Sequence, residues 1–382
     1  MRSADEHDPE SAGEPAPAIT PAMFAEWRAP RLGASNPERL TNPVWEWLVR
    51  SEHSAYSASR HFGLASDVCR EPGWSFARFG RSTTMLEDGR TVLIAGEHED
   101  AYDADFFIYN DVVVTQPEGS IEIFGYPRDV FPPTDFHSAT LLGDRIVIVG
   151  NLSYPANRIP GSTQVLLVDL DSFATTLVRT SGESPGWIHR HSAALADGAQ
   201  AIVIRGGLVD TGDGPYAEFR DNGDDWRLDL PSSRWERMTD RRWRQWQFAR
   251  ADKRPNHLWR LRSQLQLRGV RWASEHRERM QAMLAEEAGA LKAAYGAEPD
   301  LGLFATLFVP PVEHESRAPA DDEFGTHRID IDGVVVRYVE KQTSVKLVVE
   351  GILPERTLSA LITDLREKLS ALERTAYEVR ES

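Results

Sequence analysis

Residues His137 to Gly150 read HSATLLGDRIVIVG and contain two short apolar runs separated by the dipeptide Gly143-Asp144. Such a dipeptide supplies the positive φ angle that a tight hairpin turn requires. After the turn, the run from Ile146 to Val149 is continuously apolar, which favours a strand that is covered on both faces. The stretch therefore predicts an antiparallel hairpin whose second strand is buried.

The same pattern occurs three times in the chain. The copies read RSTTMLEDGRTVLIAG, HSATLLGDRIVIVG and HSAALADGAQAIVIRGG, and they begin at Arg81, His137 and His191, which lie 56 and 54 residues apart. The closing glycines Gly96, Gly150 and Gly206 repeat at 54 and 56 residues. Each copy is followed by two further strand-like runs, such as TQVLLVDL and ATTLVRT after the second copy. Four strands in about 55 residues are typical of one propeller blade.

Several short motifs in residues 74–239 match those of a known repeat family. They are His137 and His191 in the polar lead, the dipeptide Gly206-Gly207, NDV at Asn110 to Val112, and DLPSSRW at Asp229 to Trp235. In these motifs the segment resembles the kelch-repeat family, which implies a galactose-oxidase-like β-propeller. The family's second glycine is replaced by Glu97 and Asn151 in two copies, and its tryptophan by Thr175 in one. Three copies are fewer than the roughly four to eight blades that close a ring. The resemblance therefore implies either a kelch-like β-propeller or a partial one.

The remaining chain divides by composition and hydrophobic period. Residues 1–30 hold few large apolar side chains, so burial would not offset the entropy of ordering them. Thr41 or Asn42 can cap a helix that Pro43 begins. The expected fold is mainly β, with a disordered acidic tail (1–30), an N-terminal helix (41–63), kelch-like repeats (74–239), an Arg- and Trp-rich helical segment (240–296) and a small α+β domain (300–382) whose amphipathic helix spans Pro354 to Thr375.

Net charge and cysteine content limit the partners and the compartment. The chain of 382 residues carries a net charge of -16, which repels nucleic acids and anionic membranes at long range. The single cysteine, Cys69, forms no internal disulfide, and no recognisable nucleophile context surrounds it. The N-terminal residues lack a signal-peptide pattern, and no stretch approaches the ~18 apolar residues of a membrane span. We therefore expect a cytoplasmic protein with no membrane partner.

The three leading residues, Arg81, His137 and His191, are the first candidates for a site. They could form a ring of hydrogen-bonding groups around a central channel. Repetition favours a framework role instead, because a catalytic histidine needs to occur only once. We therefore assign them, with Gly96, Gly150 and Gly206, as structural repeat positions, and we predict no catalytic residue.

Two acidic loops are the candidate partner-binding surface, because the loops on one face of a propeller commonly form its binding site. One loop follows Gly96 and the other spans Val209 to Asp225. An oxygen-rich loop can hold a cation, but the spacing here fits no metal-loop pattern, so we predict neither a metal nor a cofactor. The candidate contact residues are Glu97, His98, Glu99, Asp100, Asp103, Asp105, Asp210, Asp213 and Tyr216.

The leading functional hypothesis is a protein-binding scaffold whose acidic loops meet a basic patch on another protein. The first alternative is an enzyme acting on a small molecule or sugar in a propeller-axis pocket, although the chain contains no nucleophile elbow, Walker A loop or zinc-helix motif. The second alternative is nucleic-acid association through residues 241–279. Between Asp240 and Met280 there are twelve Arg and Lys residues against four acidic ones. Pairing of these cations with the acidic body of the same protein is the competing interpretation, and we favour it.

Overall fold

The structure of the protein is a computed structural model that describes residues 19–64, 72–98, 106–212, 219–268, 270, 274–317 and 325–381. It is mainly β, with 32% strand and 25% helix, as the repeated hairpins predict. Two compact units divide the chain between Thr239 and Asp240. No helix in the described ranges is long and apolar enough to cross a membrane.

The first unit is built around the three sequence repeats. Its helices are α1 (Pro21–Trp27), α2 (Pro43–Ser51) and α3 (Ala55–His61). Its strands are β1 (Glu38–Arg39), β2 (Ser82–Met85), β3 (Thr91–Ile94), β4 (Glu97–His98), β5 (Phe107–Ile108), β6 (Asp111–Thr115), β7 (Ile121–Gly125), β8 (Ser138–Leu142), β9 (Arg145–Val149), β10 (Val165–Asp169), β11 (Thr175–Leu177), β12 (Ser181–Gly182), β13 (Ile188–His189), β14 (Ser192–Ala196), β15 (Ala201–Arg205), β16 (Leu208–Asp210), β17 (Phe219–Asp221), β18 (Trp226–Asp229) and β19 (Arg234–Arg237).

Each repeat folds into four antiparallel strands in the orders β2-β3-β6-β7, β8-β9-β10-β11 and β14-β15-β18-β19. We call these the first, second and third sheets. Strand β1 extends the first sheet and β12 extends the third, while β4-β5 and β13-β16-β17 form small sheets in the long connections. Within the described ranges, no sheet closes into a barrel or a propeller ring.

All long connections of the three sheets leave from one end. The first two strands of each sheet are joined by a tight turn, as between Leu142 and Arg145 in the second sheet. Because successive strands run in opposite directions, the connections after the second and fourth strands emerge at the opposite end. We call it the loop end, and among the described residues it holds 95–98, 106–110, 150–164, 206–212 and 219–225.

The second strand of the second repeat is buried on both faces, as its apolar run predicts. Ile146 and Ile148 pack toward the first sheet, while Val147 and Val149 pack toward the third, because successive side chains of a strand point to opposite faces. All four are fully buried. The far face of the third sheet is polar and carries Arg205, Arg227 and Glu236, as the terminal repeat of a stacked series requires.

The far face of the first sheet is covered by the helices. The rings of Trp45 and Trp74 stack with centroids 5.0 Å apart, and both side chains are buried. Trp74 Nε1 donates to Asp111 Oδ2 over 2.8 Å, and the Arg78 guanidinium donates to both oxygens of the same carboxylate, over 2.5 and 2.9 Å. This buried pair fixes the residues that lead into the first repeat onto strand β6.

The N-terminal segments differ from the sequence prediction. Residues 41–63 form two helices, because Glu52 takes a left-handed φ of 54° and Ser54 caps α3 through Ser57 N. Asn42 Oδ1 caps α2, with Pro43 in the first turn. The predicted tail 1–30 contains α1, whose Phe24 is buried and stacks on Phe62. Residues 1–18 lie outside the described residues.

The second unit is a sheet with helices. Its elements are β20 (Arg244–Arg250), α4 (Leu258–Arg268), α5 (Ser274–Tyr295), α6 (Leu301–Ala305), β21 (Glu315–Ser316), β22 (Thr326–Ile331), β23 (Val334–Glu340), β24 (Ser344–Val349), α7 (Glu355–Glu373) and β25 (Tyr377–Glu381). The antiparallel order is β21-β22-β23-β24-β20-β25. Helix α7 lies within the predicted Pro354 to Thr375 and buries a row of leucines.

Strand β20 corrects the beginning of the predicted Arg- and Trp-rich helical segment 240–296. It lies between β24 and β25, and its Trp246 and Phe248 are buried in the core of the unit. The alternation of Gln and aromatic residues in RQWQFAR is a period of two, which favours a strand over the helix suggested by the composition.

Candidate functional site

The leading histidines join adjacent sheets. His137 Nε2 lies 2.9 Å from Ser82 Oγ of the first sheet, and His191 Nε2 lies 2.9 Å from Ser138 Oγ of the second. Burial lowers the pKa of His137 to about 3 and that of His191 to about 4. Both imidazoles are therefore neutral at pH 7 and act as hydrogen-bonding groups of the framework.

A backbone ladder runs beside these histidines. The residues before the three leading positions, Gly80, Phe136 and Arg190, have φ angles of 62°, 48° and 56°. Phe136 N donates to Gly80 O and Arg190 N donates to Phe136 O, each over 2.8 Å. A Cβ atom on Gly80 would lie 2.5 Å from Phe136 N, so glycine is required where the first two sheets meet. The residues that precede the first strands of the three sheets therefore share one conformation and are bonded to one another in series.

The strand register corrects the alignment of the closing glycines by one residue. Ser82 pairs with Ile94, Ser138 with Val149 and Ser192 with Arg205, so the next residues, Ala95, Gly150 and Gly206, are the equivalent ones. Their φ angles are 53°, 77° and 61°. Gly96 corresponds instead to Gly207, and a Cβ at either position would lie within 3 Å of the leading residue of its own sheet. Ala95 hid the equivalence because alanine rarely adopts this conformation.

The described parts of the acidic loops turn inward. Glu97 and His98 form β4, and the buried His98 places Nδ1 3.1 Å from Ala77 O. Asp210 is buried, with Oδ2 3.3 Å from Arg158 Nη1 and Oδ1 accepting from Gly212 N. His98 and Asp210 are therefore framework groups here rather than exposed contact residues. Six other predicted contact residues, and Cys69, lie outside the described residues: Glu99, Asp100, Asp103, Asp105, Asp213 and Tyr216.

A cleft of about 620 Å³ opens at the loop end of the second sheet. Its walls come from the segment after β7, the connection from β9 to β10, and the residues that follow β11. The floor includes the buried Trp187, whose Nε1 donates to Leu152 O over 3.1 Å. The apolar side chains of Ile159 and Leu177 lie on the walls and are 60% and 49% exposed. We call this feature the arginine cleft.

Two arginines give the cleft its charge. Arg128 and Arg179 belong to two different segments of the wall and are exposed. In the part of the chain that the structure describes, neither side chain makes a hydrogen bond or an ion pair, and no acidic residue lines the cleft. In a protein with a net charge of -16, two guanidinium groups without a described partner thus lie in one cleft with exposed apolar side chains.

Behind the cleft lies the buried carboxyl group of Asp135. Its Oδ1 accepts from the backbone N of Ser153, a cleft residue, over 2.7 Å, while Oδ2 has no partner among the described residues. Burial raises the pKa of Asp135 to about 6, against the opposing effects of Arg158 and Arg190. Sequence reasoning passed over this residue, although it stands in the same polar lead as His137, at the position that His189 occupies in the third copy.

Several arginines of the basic segment 241–279 are paired with carboxylates of the same unit. Arg244 contacts Glu355 and Glu381, and Arg250 contacts Asp252 and Glu373. Arg260 pairs with Glu287, and Arg262 pairs with Glu340. Across the described residues no group of three or more His, Cys, Asp or Glu side chains could hold a metal ion.

The comparisons with known proteins add no relative. No protein-family model matches the chain, and no curated protein matches it. The resemblance to kelch repeats therefore depends on the sequence motifs alone.

Proposed function

We propose that the first unit is a kelch-like partial propeller that acts as a protein-binding scaffold, and that its arginine cleft binds an acidic and partly apolar segment of a partner protein. The observation that carries this proposal is the pair Arg128 and Arg179, two exposed guanidinium groups without a described partner in a cleft without acidic residues.

The kelch-like assignment is supported by the repeated sheets. The first strand of each sheet lies against the first strand of its neighbour. The bonds from His137 to Ser82 and from His191 to Ser138 recur at equivalent positions along these strands. Helices on the first sheet and charged residues on the third cover the two ends of the series. A partial propeller needs such terminal covers, because an uncovered end would expose apolar side chains.

The charge of the cleft favours an acidic partner, whereas the acidic loops, six of whose nine predicted contact residues lie outside the described ones, favour a basic partner. A carboxylate accepts paired hydrogen bonds from a guanidinium group, and such bonds are worth about 1.5–3 kcal/mol when charged. The net negative charge of the protein repels an acidic partner at long range. Binding would therefore depend on local contacts of the partner's carboxylates with Arg128 and Arg179. The exposed Ile159 and Leu177 would then cover an apolar side chain beside the carboxylate.

The shape of the cleft favours a protein segment over a small molecule. Sites for small molecules commonly bury most of the ligand surface. Here Ile159 and Leu177 remain about half exposed or more, which suits one side of an extended peptide. The rigid sheets below the cleft would limit the entropy lost on binding.

A peptide-display selection on the full chain tests this proposal. We expect selected peptides to place Asp or Glu next to an apolar residue, and we expect Arg128→Glu and Arg179→Glu each to weaken their binding at least tenfold in fluorescence anisotropy. Arg234→Glu, an exposed arginine of the third sheet, is the matched control and should leave binding unchanged. Selection of basic peptides, or equal binding by all three variants, would overturn the proposal.

The enzyme alternative has one specific observation in its favour, the raised pKa of Asp135 beside the cleft wall. A carboxyl group with a pKa near the working pH can act as a general acid or base. Asp135 is fully buried and does not line the cleft, which favours a structural role. Turnover of a small molecule by the wild type that Asp135→Asn abolishes, while leaving binding intact, would favour the enzyme.

A further inference from the structure

The outer edges of the three sheets in the first unit differ in how they are covered. By the outer edge we mean the edge formed by the last strand of each sheet. Strand β1 pairs with β7 and extends the first sheet, and β12 pairs with β19 and extends the third. In the described ranges no fifth strand pairs with β11, so the second sheet has four strands. The position that an added strand takes in the other two sheets is therefore not filled there by the described part of the chain.

The hydrogen bonds around β11 show which of its backbone groups face this outer edge. Val178, the residue after β11, donates its N–H to Val165 O on β10 over 2.9 Å. The backbone groups of successive residues in a strand point to opposite sides, so those of Leu177 and Thr175 point away from β10. The side chain of Asn36 bonds to the outward N–H and C=O of Thr175, over 2.8 Å each, as a neighbouring strand would. Asn36 thus covers the beginning of the edge.

Beyond Thr175 the outer edge of the second sheet has unpaired backbone groups. The N–H and C=O of Leu177 and of Arg179 make no hydrogen bond with any described residue. The side chains of both residues are exposed, and both line the arginine cleft. An unpaired strand edge is a template on which an extended segment forms main-chain hydrogen bonds. The cleft therefore combines main-chain groups, a cation and an apolar side chain along one edge.

We propose that the partner segment bound at the arginine cleft adds a fifth strand to the second sheet at Leu177, an inference that rests on the proposed function. An acidic residue of the segment would lie beside Arg179 and an apolar residue beside Leu177. Because every second side chain of a strand lies on the same face, these two partner residues are two positions apart in sequence. A second copy of the chain suits the edge less well, because pairing two such edges would bring together two arginines and two bodies of net charge -16.

Methylation of single backbone nitrogens in a peptide from the display selection tests the strand addition with the full chain. We expect the affinity to fall at least tenfold at every second position around the acidic and apolar residues and to change little at the positions between them, because only alternate amides of an added strand face β11. Equal tolerance at all positions would overturn the strand addition and leave the proposed function in place. Binding that Arg128→Glu and Arg179→Glu do not weaken would overturn both.

A variant of the protein locates the added strand. Leu177→Pro removes an N–H that bonds to no described residue, and proline is tolerated where the N–H of an edge strand faces solvent. Leu177→Ala is the matched control, because it shortens the same side chain and keeps the amide. We expect Leu177→Pro to bind the unmethylated peptide at least tenfold more weakly than Leu177→Ala, with equal melting temperatures showing that the sheet is intact.

Two results with these variants would contradict the proposal. Equal affinity of Leu177→Pro and Leu177→Ala for the peptide would show that the amide at the edge takes no part in binding. A dimer of the full chain that Leu177→Pro dissociates would assign the edge to a second copy instead. If Leu177→Pro unfolds, the methylated peptides decide, because they leave the protein unchanged.

Discussion

The Nε2 atom of His191, at the start of the third sheet, lies 2.9 Å from the Oγ atom of Ser138, at the start of the second. The same bond joins His137 to Ser82 one repeat earlier. In the third copy, Ser192 Oγ donates to Arg205 O of its own sheet, and no histidine among the described residues bonds to it. The series of bonds therefore ends where the polar face of the third sheet begins.

This pair predicts a measurable coupling. We expect Ser138→Ala and His191→Ala each to lower the free energy of unfolding, and the double variant to lower it by about 1 kcal/mol less than the sum, because the shared hydrogen bond is lost only once. Urea denaturation of the four proteins measures the coupling. Strict additivity would show that the bond contributes nothing to stability.

Acid should destabilise the first unit. The pKa values of His137 and His191 are about 3 and 4 in the folded protein and about 6.5 in an unfolded chain, so the unfolded chain binds more protons between these values. The stabilisation is complete above pH 6.5 and is lost as the pH falls. We expect a slope of up to about 1.4 kcal/mol per pH unit for each histidine. In urea denaturation at a series of pH values, His191→Gln should remove one proton from the slope.

Asp135 should act in the opposite sense. Because burial raises its pKa from 3.8 to about 6, the folded state holds its proton longer, and the associated stability is present below pH 3.8 and is lost as the pH rises through 6. We expect Asp135→Asn to raise the free energy of unfolding by about 2 kcal/mol at pH 7.5 and to have little effect at pH 4. Asp171→Asn, at an exposed turn, is the control. A variant less stable than the wild type at pH 7.5 would contradict this account.

The corrected register predicts different costs at two adjacent glycines. A Cβ on Gly206 meets nothing within 4 Å, and its φ of 61° is close to that of Ala95, so Gly206→Ala should cost only about 1 kcal/mol. A Cβ on Gly207 would lie 2.6 Å from His189 O, so Gly207→Ala should cost several times more. Thermal unfolding of the two variants compares them directly, and equal losses would argue against the register.

The sequence was informative where structure follows local patterns. The Gly-Asp and Asp-Gly turns, the apolar runs and their spacing gave the four-stranded repeats, and the leucine period gave α7. Strand β20 was missed because its arginines and the residues around it in the sequence favour a helix. Its alternating aromatic residues form a strand because it pairs with β24 and β25. The alignment of Gly96 failed for the same kind of reason, since Ala95 takes a conformation that the sequence does not signal.

The sequence by itself determined the strands of the three repeats, how often they repeat, and that the inner strands are buried, because these follow from side-chain periods and turn residues. Only the tertiary structure decided which polar side chains bond to other parts of the protein and which remain exposed. His191 meets Ser138 because two sheets pack together, and Asp210 turns inward to Arg158 because the loops share space at the loop end. Arg128 and Arg179 lie far apart in the chain, and the packing of the second sheet brings them to one cleft while no carboxylate of this acidic protein reaches them within the described residues.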